Sequence, residues 1–115
     1  MTGKPKPEVY TVERCYITEL LNDEAWPEVS LARARVRPGV TTQLHALSVA
    51  EWYVIESGSG RVAIGDAGPQ TVTAGSLVAI PRGITQCIEN TGPDDLVFLC
   101  LCAPRFLQDC YTPLE

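Results

Sequence analysis

Residues 39–58 read Gly39-VTTQL-His45-A-Leu47-SVA-Glu51-W-Tyr53-VIES-Gly58, a β-prone run interrupted by a few polar side chains. Side chains alternate between the two faces of an extended chain. If His45 points inward, Leu47 does too. In EWYVIES (51–57), Glu51, Tyr53 and Ile55 then share one face, and Trp52, Val54 and Glu56 take the other. A second stretch, Gly75-SLVAI-Pro81-Arg82-Gly83-IT-Gln86-CIE-Asn90, has the same construction. An apolar run meets a proline-then-glycine turn, and the strand that follows puts Gln86, Ile88 and Asn90 on one face. Gly58 and Gly60 flank Ser59 in a hairpin loop that bulkier residues would close at greater cost.

Outward from these two stretches the chain keeps the same texture. CYITELL (15–21), VSLARARV (29–36), GRVAIGD (60–66), QTVTAG (70–75), SLVAIP (76–81), QCIEN (86–90) and LVFLCLC (96–102) are further β-prone runs, bounded by turn signals such as NDEAWP, RPG, SGSG, DAGP and NTGPDD. No long stretch repeats every 3.6 residues, so helix is expected to be minimal. About eight short strands at this spacing predict an all-β sandwich or barrel. The 115 residues suffice for one domain with one modest core. The expected layout is an N-terminal arm over about 1–14, a barrel over about 15–103 and a C-terminal tail over about 104–115, which clips across the barrel or a second chain.

Composition narrows the function. Apolar residues make up 45% and charged residues 20%, ordinary globular values. A net charge of −5 argues against nucleic acid or an anionic membrane as partner, since both call for concentrated Lys and Arg. No apolar run reaches the roughly 18 residues of a membrane span. The start, MTGKPKPEVY, lacks the apolar stretch of a secretory signal, and a cytoplasmic protein is expected. The five cysteines at 15, 87, 100, 102 and 110 include no CxxC pair, and read as reduced, buried thiols.

Both long stretches resemble the paired motifs of the cupin superfamily, G-x5-H-x-H-x3,4-E-x6-G and G-x5-P-x-G-x2-H-x3-N. The match covers roughly residues 30–102 and is that of a small single-domain cupin with a degenerate metal motif: Leu47 stands at the second histidine and Gln86 at the third. The resemblance implies an all-β double-stranded β-helix, the jelly-roll or cupin barrel. It implies a divalent metal, Mn, Fe, Ni or Zn, with His45, Glu51 and Gln86 at the surviving ligand positions. It also implies a homodimer, which the outward face around Trp52 suits.

Three functions follow from this reading. One is a metal-dependent enzyme, an isomerase, decarboxylase or dioxygenase acting on a small polar molecule. His45, Glu51 and Tyr53 are its catalytic candidates, and Arg33, Arg35 and Tyr53 its substrate-binding ones. Two arginines on one strand face suit bidentate capture of a carboxylate or phosphate, or equally a solvated face paired with acids. A second is a metal-free barrel that binds a small molecule or acts as a sensor. The third is a metal-free acid–base enzyme using His45 and Glu51, in which the two residues and Gln86 form a hydrogen-bonded network.

Overall fold

The computed structural model describes Lys4 and residues 6–115, so part of the expected N-terminal arm, residues 1–3 and 5, lies outside the described residues. Eleven strands run in order: β1 (Val9–Tyr10), β2 (Tyr16–Leu21), β3 (Ser30–Val36), β4 (His45–Leu47), β5 (Ala50–Ser57), β6 (Ser59–Ile64), β7 (Ala67–Thr73), β8 (Leu77–Ile80), β9 (Gln86–Asn90), β10 (Leu96–Ala103) and β11 (Tyr111–Pro113). One 3-10 turn, Gln108–Cys110, is the only helical element among the described residues, and none is long and apolar enough to cross a membrane. The strands form two sheets, ordered β1-β2-β3-β10-β5-β8 and β11-β4-β9-β6-β7. All pairings between them are antiparallel. The fold is the expected double-stranded β-helix.

The alternation read from the sequence sets which residues face the core. In β5, Glu51, Tyr53 and Ile55 are buried, whereas Val54 and Glu56 are exposed. In β9, Gln86, Ile88 and Asn90 are buried. Their apolar members join Ala34, Val36, Val62, Leu96 and Phe98 in one cluster between the sheets. Burial at roughly 25 cal/mol per Å² of apolar surface makes this cluster the main favourable term in the fold. A smaller cluster of Leu47, Val49, Cys102 and Cys110 closes one end.

The close approach at Gly58 explains that residue. Its φ is +88°, and a Cβ there would lie 2.7 Å from the Asp95 carbonyl oxygen. Asn90 braces the neighbouring loop: its amide donates to the Val36 and Asp94 carbonyls, and its oxygen accepts from the Gly92 N–H.

One expectation needs correction. The stretch read as the DAGP turn reverses at Gly65-Asp66 instead, and Gly68 and Pro69 lie within β7. Proline is tolerated there because β7 is the edge of its sheet and the missing N–H interrupts no inner ladder. The described part of the N-terminal arm lies against the barrel. It adds β1 to the six-stranded sheet and turns through Thr11–Cys15 against residues 41–43. The C-terminal tail clips across the barrel as expected, with β11 pairing along β4.

Candidate functional site

A cavity of about 370 Å³ opens between the sheets. β5 supplies Glu51 and Tyr53, β4 supplies His45 and Leu47, and β10 supplies Phe98, Cys100 and Cys102. Gln86 on β9, paired with His45 on β4, stands behind this wall and is almost wholly buried.

His45 is buried, and its ring is held on three sides. Nδ1 lies 2.7 Å from the Gln43 carbonyl oxygen. A carbonyl only accepts, so Nδ1 carries the proton and, in the neutral ring, Nε2 holds the lone pair. Nε2 faces Oε1 of Glu13 at 3.6 Å. Tyr111 stacks on the ring at 4.7 Å between centroids, and its hydroxyl donates to the Gln43 side-chain oxygen. The expected His45–Glu51–Gln86 hydrogen-bonded network is therefore not formed. His45 turns to the backbone and to Glu13, while Gln86 Oε1 accepts from the Tyr53 hydroxyl at 2.5 Å.

Glu51 is the unusual group of the wall. Oε2 accepts a long contact from the Cys102 thiol, 3.7 Å, while Oε1 has no hydrogen-bond partner among the described residues. Gln86 Nε2 is likewise unpartnered. The amide lies close enough to favour the charged carboxylate, yet outside hydrogen-bonding geometry. Burial dominates and pushes Glu51 up to about 7, Gln86 and Cys102 pulling it down and the Glu13 charge adding to the rise. Burial also raises Glu13, against the pull of His45.

Burial lifts Tyr53, Cys100 and Cys102 as well, and Cys15 up to about 12. The cavity thiols are thus protonated and poor nucleophiles. All five cysteines are free; Cys15, Cys102 and Cys110 are buried as expected, whereas Cys87 and Cys100 are only half-buried. Three of them, Cys15, Cys100 and Cys102, also line the cavity.

The donor set does not suit a resident divalent metal. Such an ion needs several lone pairs converging on one point. Of the four positions the cupin motifs assign, Leu47 offers none. Gln86 commits its oxygen to Tyr53 and turns its amide nitrogen toward Glu51. His45 Nε2 faces Glu13 at 3.6 Å and makes no hydrogen bond to Glu51 or Gln86. Among the described residues no three His, Cys, Asp or Glu side chains group as metal ligands.

The substrate-binding roles of Arg33 and Arg35 are corrected too. On β3, Ala32 and Ala34 face the cavity, and alternation sends both arginines to the outer surface. Arg33 pairs with Glu56 at 2.8 Å, and Arg35 with Glu8 and Asp95 at 2.8 and 3.0 Å while lying over the Tyr16 ring. Conversely, Glu13 and Tyr111 were not singled out in the sequence as site residues. Both lie in terminal segments without strong periodicity, where no local pattern announces a contact with His45.

Comparison with known proteins agrees with this architecture. The cupin domain family matches residues 32–102. An uncharacterised conserved protein with a double-stranded beta-helix domain from Klebsiella pneumoniae superposes with a TM-score of 0.77 at 16% identity, over 91% of this chain and 88% of that one. Oxalate decarboxylase from Bacillus subtilis gives 0.80 at 24% identity, over 96% of this chain, which spans only 30% of the decarboxylase. An oxalate decarboxylase predicted in Thermotoga maritima gives 0.74 at 26% identity, over 87% and 91% of the two chains. No curated protein matches. Glu13 and Tyr111 fall outside the matched segment.

Proposed function

The chain belongs to the cupin family, and from that premise we propose that it is a small-molecule-binding barrel that works without a resident metal. Its ligand has an apolar body and a head that donates hydrogen bonds. The observation that carries this reading is the unpartnered, buried Oε1 of Glu51 on the cavity wall. A buried acceptor without a partner costs about 1–3 kcal/mol, which a ligand donor recovers on binding. Tyr53, Phe98, Leu47 and the cavity thiols supply the apolar surface.

The charge pattern opposes an anionic substrate. Glu13, Glu19 and Glu51 line the cavity. Among the described residues no arginine does, and the one lysine, Lys6, is exposed and paired with Glu19 at 3.2 Å. A dicarboxylate of the oxalate kind would enter against these acids with no free cation to hold it. The likeness to oxalate decarboxylases supports the barrel and not that substrate.

A second reading rests on Glu51 standing near neutrality. A carboxyl there both accepts and returns a proton at physiological pH, so the same pocket is competent for acid–base turnover.

Binding of benzyl alcohol and benzoate, one apolar body with opposite heads, tests the proposal by ligand-observed NMR. The alcohol is expected to bind at least about tenfold better, to lose that advantage in Glu51→Gln, and to ignore a chelator. Preferential benzoate binding overturns it. So does stoichiometric Mn, Fe, Ni or Zn that is lost in His45→Ala.

A further inference from the structure

The turn Thr11–Cys15 lies outside the matched cupin segment, yet it brings a carboxylate into the cavity. Its backbone closes by Thr11 N–H to the Cys15 carbonyl at 2.9 Å and Arg14 N–H to the Thr11 carbonyl at 3.1 Å. The Glu13 N–H donates to the Thr11 hydroxyl, and the Glu13 carbonyl accepts from Gln43 N–H at 3.0 Å. Arg14, at φ +69°, is the only non-glycine residue with positive φ among those described. Its guanidinium donates to the Thr41 carbonyl at 2.9 Å and to both Glu115 oxygens at 3.0 and 2.9 Å. Glu115 in turn accepts from Leu44 N–H. This turn, hereafter the strap, is thus fastened to the barrel and to the C-terminal tail, and the fastening aims Glu13 at His45.

We infer that the ligand head is a cation, an ammonium of a primary or secondary amine, and that Glu13 on the strap is the residue that selects it together with Glu51. The inference rests on the pocket reading above and narrows it from any donor to a charged one. Four observations converge. Two carboxylates, Glu13 and Glu51, face one cavity with no free lysine or arginine to offset them, since Lys6 is paired with the third lining acid, Glu19. Glu51 is 7% exposed and its Oε1 has no partner. Glu13 Oε1 stands 3.6 Å from His45 Nε2, beyond hydrogen-bond reach, and stays open to a ligand N–H. The rings of Tyr53, Phe98, Phe106 and Tyr111 line the same space, and aromatic faces attract ammonium groups within about 6 Å. An alcohol has one O–H and satisfies Glu51 alone; only an ammonium, with several N–H groups, gains from all four.

Benzylamine and benzyl alcohol, with one body and two heads, separate the charged class from the neutral one. Wild-type protein is expected to prefer the amine about tenfold, and Glu13→Gln to cut that preference about tenfold while leaving alcohol affinity within about twofold. Glu13→Asp keeps the charge one methylene further back and should retain an intermediate preference. The chain has a single histidine, so its ring ¹⁵N signals are unambiguous and report the strap without any ligand. They should shift in Glu13→Gln while the amide spectrum of the barrel strands stays in place, which separates loss of Glu13 from loss of the fold.

If the alcohol binds through Glu51 while the amine shows no advantage, or if Glu13→Gln leaves the amine preference intact, the inference falls and the pocket reading stands. An unshifted His45 ring in Glu13→Gln, or no saturable amine binding at millimolar concentration, also overturns it. If benzoate binds best, both fall.

Discussion

The wall of the pocket and its cover are built by opposite means. The wall, β4, β5 and β10 with β9 behind it, is barrel: its side chains are placed by strand alternation, and His45, Glu51, Tyr53 and the backing Gln86 are all nearly inaccessible. The cover consists of the Thr11–Cys15 strap and β11 of the tail, joined at their ends by the exposed Arg14–Glu115 pair. The wall gives the site its shape through burial. The cover gives it Glu13 and Tyr111 through a few directed contacts. Strength of folding and completeness of the site are therefore held in different parts of the molecule, and perturbing one should leave the other largely readable.

The largest effect is expected in the wall. Ile55 is 1% exposed within the main cluster. Ile55→Ala should cost roughly 4 kcal/mol by lost burial and the cavity left behind, read as a lower midpoint in urea denaturation. A loss below about 1 kcal/mol would mean that the two sheets are not bound by this cluster.

Next comes Glu51, whose burial ties stability to pH. Its carboxyl rises from 4.5 to about 7 on folding, so between those values the folded chain holds a proton that the unfolded chain has released. Stability is then full below pH 4.5, falls as pH rises toward 7 and levels off above it. The total fall is on the order of 3 kcal/mol, and Glu13 adds in the same direction. Glu51→Gln should flatten most of this slope in denaturation curves taken from pH 4 to pH 8. An unchanged slope would show that Glu51 is solvated and that the wall is not dry around it.

What the sequence revealed follows the same division. Alternation in EWYVIES put Glu51 and Tyr53 inside and Trp52 outside, and in QCIEN it put Gln86 inside; the structure agrees at each position. These placements are local, because one strand's periodicity decides them. Arg33 and Arg35 sit together on one face in sequence, but which face depends on Ala34 and Val36 packing inward against the other sheet. The orientation of the Gln86 amide is likewise a property of its neighbours, the Tyr53 hydroxyl and Glu51. Glu13 lies 32 positions before His45 on a non-repeating turn, and no residue pattern foretells that contact. Motif spacing revealed the barrel and the wall of the site. It was silent on the cover, because directed contacts between distant segments leave no period behind.

The cover is where small energetic changes should have local consequences. Tyr111→Phe removes the hydroxyl that donates to Gln43 but keeps the ring on His45. It should cost about 1 kcal/mol in thermal or urea unfolding and leave the His45 ring signals nearly in place. Tyr111→Ala should move those signals, since the stacked ring itself is gone. Smallest in stability is Arg14→Ala, because the Arg14–Glu115 pair is solvent-exposed and pairs of that kind add little.

Its effect belongs to the strap. Hydrogen exchange at the Gln43 N–H, which is held by the Glu13 carbonyl, should quicken, while the Ile55 N–H, bonded to the Ser76 carbonyl within the wall, keeps its protection. Arg14→Gly makes the contrast sharper. It removes the same guanidinium but relieves the positive φ, so its melting temperature should lie above that of Arg14→Ala even though both have lost the latch. Equal quickening at Gln43 and Ile55 would mean that strap and wall open as one unit, and the division between them would have to be abandoned.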